Sequence, residues 1–174
     1  MPRLSLSMSC FDKFIGLWYE VGVISNSDVF MKPKFSIKIG VMLTALNQGG
    51  IFTMMIYDKY GQCVLEQFLA IPMGIPGKYR IPHSREFQVM GTDYENYAIL
   101  EFVLLLKKKR HIVTKLYSRN SSPKPNDINI FKEFWAERDY TEEQIYMLQT
   151  DEKCTKMILY VPRRKHVIRS IGRN

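Results

Sequence analysis

The sequence predicts an all-β protein: an eight-stranded antiparallel up-and-down β-barrel with one C-terminal α-helix packed outside. Three observations carry this. Eight short β-forming runs follow one another between residues 18 and 119, joined by turns suited to antiparallel neighbours. The second run holds a period of two, with Phe35, Ile37, Ile39, Val41 and Leu43 alternating with more polar positions. After a Ser/Pro/Asn-rich linker at 120–126 the period changes, and Ile128, Phe131, Phe134 and Trp135 fall at helical spacing.

The first strand is expected over 18–25, opened by Gly16, which lets the chain turn sharply before Trp18. A loop over 26–33 leads to the second strand, 35–46, and Asn47-Gln48-Gly49-Gly50 reads as a hairpin turn. The third and fourth strands take 51–57 and 63–71, and 72–77 breaks the pattern. Short strands at 78–82 and 86–90 follow, with His83 in the turn between them. The long seventh strand, 97–106, and the eighth, 111–119, flank a basic turn at 107–110. The helix is expected over about 127–138, with Asp127 or Asn126 as N-cap. A capping box, Thr141 to Gln144, precedes a last strand at about 145–149, and a basic tail occupies about 157–174. The barrel proper is expected over about 14–119, and the whole of 1–174 forms one domain.

The net charge of +8 concentrates in two clusters, 107–111 and 163–173. Neither interleaves with exposed aromatics, so nucleic acid is not an expected partner. The bland meaning of such runs is solvated surface; the functional one is attraction of an anionic ligand or a membrane surface. Apolar runs such as 102–106 fall far short of a membrane span. Cys10, Cys63 and Cys154 are dispersed, as are His83, His111 and His166, so neither a metal site nor a cofactor is expected. Residues 1–10 show no secretory apolar region, which leaves a cytosolic protein or a leader outside this chain.

Three stretches, Gly16-Leu17-Trp18, Thr92-Asp93-Tyr94 and Tyr117-Ser118-Arg119, stand in the order and places of three signature segments. On these the chain resembles the lipocalin family from about residue 11 to about residue 156. Around 92–100, 115–119 and 146–154 it is closest in texture to the epididymal secreted lipocalins, which include a retinoic-acid binder. The resemblance implies a carrier of a small lipophilic molecule and a bridge between Cys63 and Cys154. A disulfide implies an oxidising compartment and hence secretion. One lipocalin branch isomerises a prostaglandin with a cavity cysteine, but no cysteine falls in the first three strands here, so an enzyme is not expected.

Strand counting agrees with the resemblance. Antiparallel strands alternate in direction, which brings Gly16, Trp18, Thr92, Asp93, Tyr94 and Arg119 to one closed base as structural residues. The 26–33 loop, the His83 turn and the 107–111 turn then rim the open mouth. Eight strands enclose room for one small ligand. By parity, the lining is expected from Ile37, Ile39, Val41, Met55, Tyr57 and Phe68, with Tyr79, Ile81, Phe87 and Val89. Leu100, Phe102, Lys115 and Tyr117 complete it, and Phe68 inward brings Glu66 with it. Lys115 is the sharpest position, because a lysine on an apolar inner face is costly unless paired. It either snorkels, pairs with Glu66, or serves as counter-ion to a ligand carboxylate.

The expected function is therefore extracellular carriage of a retinoid or other lipid, carboxylic acids included, by a monomer. The alternative is a secreted module that binds proteins or a cell-surface receptor through its basic mouth and tail.

Overall fold

The structure, a computed structural model, describes residues 13–27, 40–83, 85–141, 144–148 and 152–160. Eight strands run in chain order: β1 (Gly16–Ser25), β2 (Val41–Asn47), β3 (Gly50–Lys59), β4 (Gln62–Pro72), β5 (Lys78–Ile81), β6 (Arg85–Thr92), β7 (Tyr97–Leu106) and β8 (Lys109–Ser118). They are followed by α1 (Pro125–Ala136), β9 (Ile145–Met147) and α2 (Glu152–Tyr160). Each barrel strand pairs antiparallel with its sequence neighbour, and β1 pairs with both β2 and β8, which closes the barrel. Closure removes the free edges that an open sheet would expose.

β1 changes partners along its length. Its first half, Gly16 to Tyr19, pairs with β2, and its second half, Gly22 to Ile24, pairs with β9. A bulge between Glu20 and Gly22 against β8 marks the changeover. Gly22 suits the close packing there: a Cβ would lie 3.3 Å from both Phe131 of α1 and Met147 of β9. α1 lays Phe131 and Trp135 against this outer wall, both buried. The helix starts earlier than 127 and ends at Ala136. Its N-cap is Lys124, not Asn126 or Asp127, because Pro125 takes the first helical position, where its missing N–H costs nothing.

α2 departs from the expectation of a tail beginning near 157. It presents Cys154 and Ile158, four residues apart on one face, to the outer wall of β2 and β3. There they join Val41, Met54 and Ile56 in a second buried cluster. This reverses the expected parity of β2: Val41 faces outward, not into the barrel, and Met42 takes the inner position. Both parities of this strand are apolar, and α2 covers one of them. Cys63, also on the outer wall, forms the disulfide with Cys154, with Cα atoms 5.4 Å apart. Ile37, Ile39 and Cys10 lie outside the described residues.

Candidate functional site

The closed base is built first, because it fixes which end can open. Trp18 is fully buried and donates its indole N–H to the Phe14 carbonyl at 2.9 Å. The Arg119 guanidinium lies over its ring, 3.6 Å from the centroid. Arg119 also donates to the carbonyls of Leu17 (2.8 Å), Lys13 (2.9 Å), Ile15 (3.1 Å) and Tyr94 (3.3 Å). One side chain thus ties the entry of β1, the β6–β7 turn and the end of β8 together. Gly16 is part of this closure: its φ is +111°, and a Cβ would stand 3.2 Å from the Arg119 Nη1.

The turn at 93–96 is equally specified. Tyr94 sits at φ 65°, a left-handed conformation. Thr92 holds it by accepting the Tyr94 N–H at 2.9 Å and donating to the Tyr97 carbonyl at 2.7 Å. Asp93 accepts the backbone N–H groups of Glu95, Asn96 and Tyr97 and the Asn96 amide. Burial pushes its pKa up, but those hydrogen bonds outweigh it and hold the carboxyl below its ordinary value.

Cross-strand partners share a face, so the register defines the inner rows. Tyr79, Phe87, Phe102 and Val113 form one row across β5 to β8. Val89, Leu100, Lys115 and Val23 form the next toward the base, and Ala98, Tyr117 and Glu20 the one below. Ile81 and Arg85 share a row at the mouth side. On the opposite wall, Trp18, Met42, Met55 and Glu66 run across β1 to β4, with Phe68 one step toward the base and Tyr57 one step toward the mouth. The expected residues of β3 to β8 are therefore brought together on the inner face.

The inner face is sealed at the base and mixed toward the mouth, where Tyr79, Ile81, Phe87 and Val113 are also buried. At the base Trp18, Tyr117 and Ala70 are sealed from solvent. Toward the mouth, Tyr57, Glu66, Arg85 and Lys115 are only partly buried, beside Phe68 and Phe102. A ligand would enter this upper half, above a solid floor. Rings line it: Tyr79 stacks on Phe87 at 5.0 Å between centroids, and Phe87 tilts against Phe102 at 5.6 Å.

Among the described residues, Lys115, Glu20, Arg85 and Glu66 face this space, and they form two pairs. Lys115 Nζ lies 3.1 Å from Glu20 Oε1 and 3.2 Å from Oε2. It also stands 5.2 Å over the Phe102 ring. Arg85 Nη2 lies 2.7 Å from Glu66 Oε1, with its guanidinium 5.7 Å from the Phe68 centroid. Of the three alternatives for Lys115, pairing with Glu66 is thus replaced: Glu66 is taken by Arg85, and Lys115 by Glu20. Neither Glu20 nor Arg85 was among the expected lining residues. Arg85 was readable by parity with Phe87, since β6 begins one residue earlier than the expected strand. Glu20 was readable by parity with Trp18.

The phenols respond to these carboxylates. Burial raises the Tyr117 pKa well above its usual value, and the nearby Glu20 carboxylate raises it further. Glu20 also acts on it as the nearest hydrogen-bond acceptor. Tyr57 is raised by burial and then by Glu66. At the rim, His111 Nδ1 and Ser27 Oγ are 2.7 Å apart, while His83 is exposed at φ 65°. Lys107 to Arg110 are all exposed. Among the described residues no cluster of His, Cys, Asp and Glu is placed to hold a metal ion, and no helix is long and apolar enough to cross a membrane.

A closed eight-stranded antiparallel barrel with a sealed base and a helix on its outer wall is the architecture of a single-domain β-barrel of the ligand-binding kind. Residues 15–152 match the Lipocalin / cytosolic fatty-acid binding protein family, and the chain belongs to it. Members of this family typically bind small hydrophobic ligands. The chain is 30% identical over 150 residues to epididymal-specific lipocalin-8 of Mus musculus, covering 84% of this chain and 81% of that one. It is 33% identical over 153 residues to prostaglandin-H2 D-isomerase of Equus caballus, covering 82% and 79%. Most of the family are carriers, and the isomerases are enzymes within it. The structure is similar, at TM-score 0.74 and 23% identity, to that described under "The Siderocalin Ex-FABP functions through dual ligand specificities", covering 82% of this chain and 93% of that one.

Proposed function

We propose that this protein is an extracellular, non-enzymatic carrier that holds one small lipophilic molecule, a retinoid or another lipid, in the mouth half of its barrel. The observation that carries this reading is an inner face lined by the rings of Tyr79, Phe87 and Phe102 above a sealed base, beside half-buried Tyr57, Glu66, Arg85 and Lys115. Burying an apolar ligand there gains about 25 cal/mol per Å² removed from water, and the charged side chains on this face are already paired with one another. The disulfide between Cys63 and Cys154 supports an oxidising compartment. Similarity to epididymal-specific lipocalins is in keeping with a secreted role. Both cysteines within the described residues are bonded to each other on the outer wall, away from any ligand. That supports a carrier over an isomerase working through a cavity thiol.

Organic extraction of protein purified from a eukaryotic secretory host, followed by mass spectrometry, tests the reading. A lipophilic molecule at close to one equivalent is expected. A protein that extracts empty and takes up no retinoid or fatty chain in titration would sink it. A second reading rests on the exposed Lys107 to Arg110 turn at the rim: docking of the mouth to an anionic cell-surface partner. It predicts salt-sensitive cell binding, lost when those four side chains are neutralised.

A further inference from the structure

We propose that the Lys115–Glu20 pair selects for a ligand whose polar end is uncharged, an alcohol or amide in place of a carboxylate. The proposal rests on the carrier reading and adds the headgroup chemistry to it. Both cations described on the inner face already hold a carboxylate, Lys115 with Glu20 and Arg85 with Glu66. The interior charge contributed by these four residues therefore sums to zero.

Position gives the pair its role. Lys115 lies one row nearer the mouth than Glu20, so a ligand end reaching down the barrel meets the ammonium with the carboxylate behind it. The Lys115 side chain is 21% exposed and that of Glu20 11%. A ligand carboxylate has two ways to use Lys115, and both are unfavourable. It can share the ammonium, which sets two like charges side by side in a largely desolvated site. Or it can displace Glu20, leaving a buried carboxylate with its partner gone. The Tyr117 hydroxyl, buried on the same row as Glu20, offers only one donor in return.

A hydroxyl meets no such conflict. It can accept from an ammonium hydrogen and donate to a Glu20 oxygen while the ion pair stays intact. An amide does the same with its carbonyl and N–H. A ligand ammonium meets the mirror-image obstacle, since it must compete with Lys115 for Glu20. The pair thus rejects either sign of charge and accepts a neutral polar group, discriminating as much by what it excludes as by what it holds.

The test uses delipidated full-length protein and two matched pairs of probes: all-trans retinol against all-trans retinoic acid, and hexadecanol against palmitic acid. Affinities are read by calorimetry at neutral pH. Each alcohol should bind roughly tenfold or more tightly than its acid, the size of one hydrogen bond to a charged group. Glu20→Gln keeps the shape and frees the ammonium. It should shift the acid-to-alcohol affinity ratio by roughly tenfold or more toward the acids. If Glu20→Gln does not fold, Lys115→Met gives the complementary reading, since the unpaired Glu20 should weaken the acids further relative to the alcohols. Tighter binding of the acids by the unmodified protein overturns the proposal, as does an acid-to-alcohol ratio unmoved by a folded Glu20→Gln. Binding of all four probes without discrimination overturns it and leaves the carrier reading standing. Binding of none overturns both.

Discussion

The Arg119 guanidinium lies 3.6 Å from the centroid of the Trp18 ring, and its N–H groups bond four carbonyls from two other parts of the chain. Residues a hundred positions apart are thereby locked into one lid on the barrel floor. The cation–π contact contributes about 0.5–2 kcal/mol. Each bond from a charged donor adds to that by satisfying a carbonyl at the chain entry.

Trp18→Ala and Arg119→Ala should therefore act on stability, not on ligand affinity. Truncating a buried tryptophan costs about 3–5 kcal/mol. Urea unfolding of both variants, with retinoid titration of the fraction that stays folded, checks the division. A folded variant of unchanged stability with lost binding would mean that this end is the mouth.

Gly16→Ala should destabilise for two reasons that can be separated. Its φ of +111° strains any L side chain, and the new methyl would press on Arg119. The backbone part exceeds about 1 kcal/mol. In an Arg119→Ala background the contact part vanishes and the strain remains. The two substitutions should consequently cost less together than the sum of their separate costs, and a double-mutant cycle in denaturant measures the difference.

Asp93 makes acid stability depend on one turn. Its folded pKa is lowered, so its contribution is fully present above the unfolded aspartate value of about 3.9 and is lost as pH falls through the folded value. Asp93→Asn should remove that contribution at neutral pH. The thermal midpoint of the variant should then fall less steeply between about pH 5 and pH 2 than that of the parent. Parallel curves would show that the turn does not feel the carboxylate.

The strands that alternate cleanly were legible in the sequence; those apolar on both parities were not. In β6, Phe87 and Val89 stand against Glu86 and Gln88, so only one face can be buried deeply. In β2, Val41 and Leu43 compete with Met42, and hydrophobicity cannot choose between them. The choice is made by Ile158, more than a hundred residues downstream, whose helix covers the outer wall. The charge pairs were hidden for a different reason. Parity shows that Lys115 faces inward, but its partner is set by the height of β1 against β8. That height is fixed by the bulge between Glu20 and Gly22, which leaves no mark in the periodicity. The bridge was legible only through the lipocalin resemblance, since Cys10, Cys63 and Cys154 by themselves allow three pairings, and the base through the same three signature segments together with strand counting.

The outer cluster yields a last prediction, in which covalent and apolar contributions are coupled. α2 is held to β4 by the Cys63–Cys154 bond and to β2 and β3 by Ile158 against Val41, Met54 and Ile56. The bridge spans a sequence separation of 91 residues, so on the chain-entropy account it stabilises by at most about 4–5 kcal/mol. Reducing it should lower the unfolding midpoint without changing the barrel's circular dichroism. Ile158→Ala should cost about 2–5 kcal/mol while the bridge is intact. With Cys154→Ser, the helix can leave the wall before the barrel unfolds, and the side chain then contributes less to global stability. The two changes should therefore be sub-additive by more than the 0.3–0.5 kcal/mol expected, roughly, of independent sites. Retinol affinity should stay within about twofold throughout, because every residue of this cluster faces away from the interior. Full additivity would mean that α2 stays docked without its bond, and a large loss of affinity would return Val41 to the cavity wall.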